Sequence, residues 1–483
     1  MFRLTPLTGS RWTLEGDPRS SCLVEYGDAR LLWNIGALPE GDLPPHDALL
    51  WSHARNCEAL PLYHRRFPDT PIFATFPTTK LGQFTLYDLH AGLCLDGQSP
   101  SFSLEDVDAA ISHVTLLKYS QTVTLRGLLL TAQRAGHVLG AAVWRLHHTS
   151  DETTVFLSDA YSVARERHLD AAQLWQAPDV WVTKPGSLAE ARLVQKKALP
   201  AKLVDAVLAV LRRDGNVWLP ADAAGRVVEL LVLLDQSWEP LSGAYTLVWY
   251  GPLLSNIVNC LNSQFEWMRL EPTKLFQHVK LIHSKADWQK LTQQVTNPIC
   301  VVTSGLTLDE GPSRHLLLEW ADQADSAVIF TDSCGCLYRP EPRLDDLSKW
   351  TVAGQLLQAW SQNEEMPDSV WVDVPVPQRA TLQGAELRDF MASEEAIRQQ
   401  QAQEAKEQAM LAEVERAKGE LRLDDEKVVP NNDKLQFMRP RKKSRFDSNL
   451  FLKYSKPLHC ELVFARSMLE GLVVMWSEYI THP

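Results

Sequence analysis

Residues 214–238 read DGNVWLPADAAGRVVELLVLLDQSW. A short apolar run at 216–220 ends in a turn, and an apolar stretch of helical length follows at 225–238. A strand with no polar alternation is buried on both faces, and such strands belong to parallel sheets covered by helices. Outward from this stretch the alternation repeats. Upstream, 189–213 reads as a helix; downstream, 245–250 reads as a strand and 255–268 as a helix. Residues 299–303 read as a strand, 314–324 as a helix and 327–331 as a strand. Strands alternating with helices predict an α/β unit over residues 187–360.

The residues before it follow a different rule. Residues 1–186 read as short strands joined by turns, with few long helices. Apolar runs at 22–26 and 31–34 flank a hairpin signal at Gly27-Asp28. Further strands are expected at 47–52, 72–76, 123–131, 141–147, 153–157 and 180–183. Apolar residues at 104, 107, 110, 111, 114 and 117 predict an amphipathic helix over 104–117. After the α/β unit, a strand at 370–376 falls in a segment 361–385 that returns to the first module. Residues 386–426 then hold 12 acidic and 6 basic residues, half of the net charge of −12. The segment 386–430 reads as a solvated helix or charged linker, with a short coiled coil as the alternative. Residues 431–483 form a basic, poorly defined tail.

With 48 Lys+Arg against 60 Asp+Glu, a globally basic nucleic-acid-coating protein is excluded, and RNA contact has to come from a local patch. Eight cysteines lack the paired C-x-x-C spacing of a zinc ribbon, so free thiols in a reducing compartment are expected. The apolar stretch 462–476 is interrupted by Arg466 and Glu470 and is too short to span a bilayer. No signal peptide and no membrane association are expected.

Several strings occur in the order in which one family carries them. Leu49-Leu50-Trp51-Ser52-His53, followed by Glu58-Ala59-Leu60-Pro61, resembles the strand and loop of an H-x-H-x-D-H zinc motif and its G-A-L-P continuation. Residues 135–141, AGHVLGA, resemble the third metal motif. Ser158-Asp159, with Arg167-His168-Leu169 downstream, resembles the aspartate motif and its trailing histidine-leucine. The 214–238 stretch is similar to the β-CASP signature. The chain thus resembles the metallo-β-lactamase/β-CASP proteins of RNA 3′-end processing over about residues 1–390. Segments 78–83, 87–89, 104–110 and 117–121 are most similar to the family's catalytically degenerate branch. The resemblance implies an α/β fold: a metallo-β-lactamase αβ/βα sandwich (1–186 and 361–385) with an inserted β-CASP domain (187–360), followed by a charged helical or disordered tail.

Hydrolysis in this family needs two zinc ions held by a dense His and carboxylate set, which lower the pKa of a bridging water. Here the resemblance leaves vestigial ligand positions at His53, His137 and Asp159. Arg55 stands where the second histidine belongs, and the string from His53 to Pro61 is two residues short. Lys184 follows the strand 180–183, where active members place an acid. A guanidinium stays cationic and repels Zn²⁺ at close range. The implied state is a pseudo-enzyme without catalytic residues, metal or other cofactor. An ion pair from Arg55 or Lys184 to Asp159 would stand in for the missing metal charge.

Gly225-Arg226 follows a strand and opens a helix. Arg226 is either an RNA-phosphate contact in the cleft or part of a structural turn. The tail holds Phe437, Arg439, Arg441, Lys442, Lys443, Arg445 and Phe446. It reads as a partner-docking peptide, a nuclear-import signal or a solvated basic turn. The resemblance implies a nuclear, non-catalytic scaffold subunit of the pre-mRNA cleavage and polyadenylation machinery. Its partners would be a homologous active β-CASP endonuclease, a symplekin-like scaffold, the polyadenylation-signal recognition module and pre-mRNA. Two alternatives stay open: a zinc-dependent RNA phosphodiesterase with relocated ligands, and a degenerate nuclease partner in an Integrator-like complex. Residues after 448 do not resemble the family's C-terminal region, so either that region is rebuilt or the chain is incomplete.

Overall fold

Mostly buried apolar strands build the first module as two sheets. β1 (Phe2–Pro6), β2 (Cys22–Tyr26), β3 (Ala29–Trp33), β4 (Ala48–Leu50), β5 (Ile72–Thr75) and β6 (Val114–Leu117) lie side by side in that order. The first two pairings are antiparallel and the rest parallel. The second sheet runs β11 (Val180–Thr183), β10 (Thr154–Ser158), β9 (Ala142–His148), β8 (Leu128–Arg134), β7 (Thr122–Leu125). Val24, Leu31, Trp33 and Leu50 from one sheet and Leu130, Trp144 and Leu157 from the other share one buried cluster. This is the sandwich core, with both inner faces apolar. The computed structural model describes residues 2–7, 21–38, 42–55, 57–95, 100–174, 177–183, 199–269, 275–320, 323, 325–331, 351–356, 369–376, 379–381, 452–454 and 458–465, with isolated positions between 384 and 399.

Three helices cover the outer face of the first sheet: α1 (Leu60–Arg66), α2 (Phe76–Leu95) and α3 (Leu104–Ser112). α2, with 20 residues, is the one long helix among the described residues of this module, and no apolar period marks it in the sequence. Its Thr78, Thr79, Gly82 and Gly92 carry poor helix propensity, which tertiary packing overrides. Gly82 is needed by close approach, because a Cβ there would lie 2.3 Å from the Trp51 ring. The helix predicted over 104–117 stops at Ser112, and Val114 starts β6 on the edge of β5. Its start is a capping box: Ser103 Oγ accepts from the Asp106 amide while the Asp106 side chain accepts from the Ser103 amide. Residues 123–131 are not one strand but the β7–β8 hairpin, turned at Arg126-Gly127.

In the second module, α4 (Leu199–Leu211), β12 (Val217–Ala221), α5 (Val227–Trp238), β13 (Thr246–Tyr250), α6 (Leu254–Ser263), β14 (Val279–Ile282), α7 (Lys285–Gln294), β15 (Ile299–Ser304), α8 (Gly311–Trp320) and β16 (Ala327–Val328) follow in sequence. The sheet order is β14-β13-β15-β12-β16, and every pairing is parallel. β12, β13 and β15 are buried throughout, as their unbroken apolar runs require. β14 and α7 escape sequence reading because α7 is mostly polar and buries only Trp288 and Leu291. Ala54, Leu81, Leu139 and Leu169 of the first module belong to the same core cluster as Leu219, Val227 and Leu231 of the second. The two modules are therefore packed through a shared apolar seam.

The expected strand at 370–376 forms as β17 (Ser369–Val376). It pairs with β20 (Leu458–Ala465) in a two-stranded sheet. β18 (Arg379–Thr381) and β19 (Leu452–Tyr454) pair antiparallel within the smaller unit 376–458. These strands near the C-terminus lie in sequence without clear periodicity. Of the acidic segment, Arg388, Met391, Ala392, Glu395 and Gln399 are described, and all five are helical and exposed. The remainder of that segment and the basic tail up to 451 lie outside the described residues. Among the described residues no helix is long and apolar enough to cross a membrane.

Gly82→Ala should lower stability by about 1–3 kcal/mol, because the new methyl has to displace a fully buried Trp51 ring. Chemical denaturation followed by tryptophan fluorescence reads the shift, and an unchanged midpoint would refute this packing.

Candidate functional site at the joint between the modules

The loop after β4 carries the first candidate residue. Trp51 Nε1 donates to the His53 carbonyl at 2.7 Å, and the Ser52 amide donates to Asn34 Oδ1 at 2.9 Å, which holds the loop against the end of β3. His53, 4% exposed, places Nε2 3.0 Å from Asp159 Oδ2. Asn34 Nδ2 donates to the same oxygen at 2.8 Å. One oxygen of the Asp159 carboxylate thus meets two protein donors.

Arg55 points the other way. Its Nε lies 3.4 Å from Asp222 Oδ2 of the second module, and both side chains are about nine-tenths buried. Asp222 also accepts three amides at the start of α5: Gly225 at 3.1 Å, Arg226 at 2.8 Å and Val227 at 2.9 Å. These are donors that the first helical turn leaves without intrahelical partners. A Cβ at Gly225 would lie 2.4 Å from Asp222 Oδ2 and 3.2 Å from Arg55 Cγ, so only glycine admits this approach. Arg55 thus forms an ion pair with Asp222, a carboxylate that the packing of α5 brings to it.

Arg226 crosses the seam in the opposite direction. Its Nη1 donates to Glu166 Oε2 at 2.5 Å and to the His137 carbonyl at 2.7 Å. His137 Nδ1 lies 4.0 Å from Glu166 Oε1. One turn further along α5, Glu229 accepts from His168 Nδ1 at 2.6 Å and from the Arg167 amide at 3.0 Å. Burial alone would raise the Glu229 carboxyl. The His168 hydrogen bond and charge, the Arg167 amide and Arg226 outweigh it and bring it down to about 2.

Among the described residues, one group of three possible metal ligands brings its donor atoms within 4.8 Å of one another: Glu166, His168 and Glu229. His53, His137 and Asp159 do not converge in this way. The converging group faces Arg226 on one carboxylate and Arg167 with two backbone amides on the other. A zinc ion would have to displace these guanidiniums. The donor set therefore does not fit the two-zinc centre that hydrolysis in this fold demands.

Of the residues singled out in the sequence, the structure gathers His53, Arg55, His137, Asp159 and Arg226 at this joint. Lys184 lies outside the described residues, as do Phe437, Arg439, Arg441, Lys442, Lys443, Arg445 and Phe446. Sequence reading missed Asn34, Glu166, Asp222 and Glu229. The one available signal was position: Asp222 stands between a strand and a glycine that opens a helix.

Residues 40–188 match the family described as "Metallo-beta-lactamase superfamily domain", and residues 227–335 match the "Beta-Casp domain" family. The chain is 32% identical over 370 residues to the "Probable cleavage and polyadenylation specificity factor subunit 2" of Drosophila melanogaster, covering 72% of this chain and 46% of that protein. It is 27% identical to the "Cleavage and polyadenylation specificity factor subunit 2" of Arabidopsis thaliana, covering 74% of this chain and 47% of that one. Against the "Endoribonuclease ysh1" of Schizosaccharomyces pombe the identity is 26%, covering 65% and 44%. The chain spans about half the length of the curated relatives it matches.

Glu229→Gln should cost about 3–5 kcal/mol near neutral pH, since it leaves Arg167 and His168 facing a neutral amide. The Glu229 carboxyl is lowered from 4.5 in the free group to about 2. Its contribution is therefore fully present above about 4.5 and is lost as pH falls through about 2. Denaturation of both proteins across this range should show the deficit of the variant shrinking with acidity, and a pH-independent deficit would contradict the assignment.

Proposed function

We propose that this chain, which joins a metallo-β-lactamase superfamily domain to a β-CASP domain, is a non-catalytic subunit of the pre-mRNA 3′-end cleavage and polyadenylation machinery. The observation that carries the reading is Arg55. A cation occupies a motif position that would supply a metal ligand, and its charge is consumed by Asp222. Without two zinc ions there is no bridging hydroxide to attack a phosphodiester. Arg226 with Glu166 and His168 with Glu229 bond across the seam and hold the two modules in register.

The relatives named as polyadenylation-factor subunits support the process, and the relative named as an endoribonuclease shows that similar chains include an active nuclease. The chain would pair with a homologous active β-CASP endonuclease in the nucleus, alongside a symplekin-like scaffold and the polyadenylation-signal recognition module. Its cleft would help to position pre-mRNA.

Purified chain should contain far less than one zinc per molecule by elemental analysis and should leave a single-stranded RNA bearing a polyadenylation signal intact. Two stoichiometric zinc ions, with cleavage abolished by His137→Ala, would establish a zinc phosphodiesterase instead. Affinity purification from nuclear extract should recover polyadenylation subunits. Recovery of Integrator subunits in their place would move the chain to that complex.

A further inference from the structure

Five arginines and three carboxylates meet around the joint. Arg226 faces Glu166, Arg167 faces Glu229, and Arg134, Arg165 and Arg269 all face Asp170. The Arg226 pair is mostly buried and holds the modules together. The last group is open to solvent. Arg134 Nη1, Arg165 Nε and Arg269 Nε lie 3.6, 3.7 and 3.6 Å from Asp170 oxygens. Close charge-assisted bonds run at about 2.7–2.9 Å, so Asp170 is approached from three sides and closely bonded by none of the three.

Two of the three cations, Arg134 and Arg269, are held in place without being consumed. Arg134 Nε donates to the Ala171 carbonyl and Nη2 to Gln173 Oε1, both at 3.2 Å. Arg269 Nη1 donates to the Glu166 carbonyl at 3.3 Å, and the Arg269 amide to the His168 carbonyl at 2.9 Å. Among the described residues Arg165 has no partner except Asp170, and its side chain is 72% exposed. One carboxylate thus sits among three guanidiniums on a chain whose net charge is −12. Such a local excess attracts an anion while the rest of the surface repels it. Arg134 and Arg165 come from the first module and Arg269 from the second, so the cluster straddles the seam. Phe265, 58% exposed, lies in the turn just before Arg269.

We propose that Arg134, Arg165 and Arg269 form a backbone anchor for single-stranded RNA, with Phe265 as a stacking surface for a base. Planar guanidinium forks match phosphate oxygens, and an exposed aromatic one turn before Arg269 in the chain favours a nucleic acid over an acidic peptide. Asp170 fans the guanidiniums apart and keeps their outer donors pointing to solvent. The inference rests on the RNA-positioning part of the function above but not on its partners.

Fluorescence anisotropy of the full chain with a labelled oligouridylate, across a salt series, tests the anchor. The double variant Arg165→Gln/Arg269→Gln should bind at least about tenfold more weakly at low salt. Its log affinity against log salt should be shallower by about 1.4, from about 0.7 per lost phosphate contact. Phe265→Ala should weaken binding several-fold at an unchanged salt slope. Asp170→Asn should strengthen binding, an outcome that misfolding cannot produce. Absence of binding by the unmodified chain, wild-type affinity and slope in the double variant, or equal displacement by polyglutamate at matched charge would overturn the proposal. A chain that co-purifies with polyadenylation subunits yet fails this assay refutes the anchor alone. A chain that binds but does not co-purify refutes the partner assignment alone.

Discussion

Asp222 answers three open amides at the start of α5 and the guanidinium of Arg55 with a single carboxylate. Taking that carboxylate out of water is costly unless its lone pairs are met, and here four donors meet them. The helix end would likewise be left with unpaired N–H groups if Asp222 were absent. Each element of the joint therefore depends on the same group. Gly225 has to be glycine to let Asp222 and Arg55 close in, and α5 has to begin where it does for Arg226 and Glu229 to reach the first module.

The charge pattern across the seam is reciprocal. The first module sends Arg55 to an acid of the second, and the second sends Arg226 to an acid of the first. Glu229 then accepts from Arg167 and His168 one turn along. Two divalent ions could organise such a region by drawing carboxylates and imidazoles inward. Here monovalent cations belonging to the protein perform the organising, and each is paired with a carboxylate across the seam. The geometry is that of a structural joint, and the apolar seam of Leu81, Leu139, Leu169 and Val227 shields it from water.

Much of the fold was legible, because burial on both faces of β12, β13 and β15 leaves an unbroken apolar signature. The legibility failed where packing outweighed local preference. α2 is helical despite its glycines and threonines because Gly82 lets Trp51 lie against the helix. α7 carries only two buried residues, too few to mark a period. The apolar spacing at 104–117 fitted one helix, yet the chain leaves it at Ser112 because Val114 and Leu117 can complete a strand against β5.

At the site, the sequence by itself determined the residue types available: His53, His137 and Asp159, with the permanent cation of Arg55 near the first of them. Residue type is a fact of composition and needs no coordinates. Only the tertiary structure decided which charges meet. Arg55 and Asp222 are far apart in the chain, as are Arg226 and Glu166, and no periodicity links residues on separate modules. Their pairing follows from the way an apolar seam seats α5 against the sandwich. Ion pairs across it form between whichever side chains that packing brings within about 4 Å.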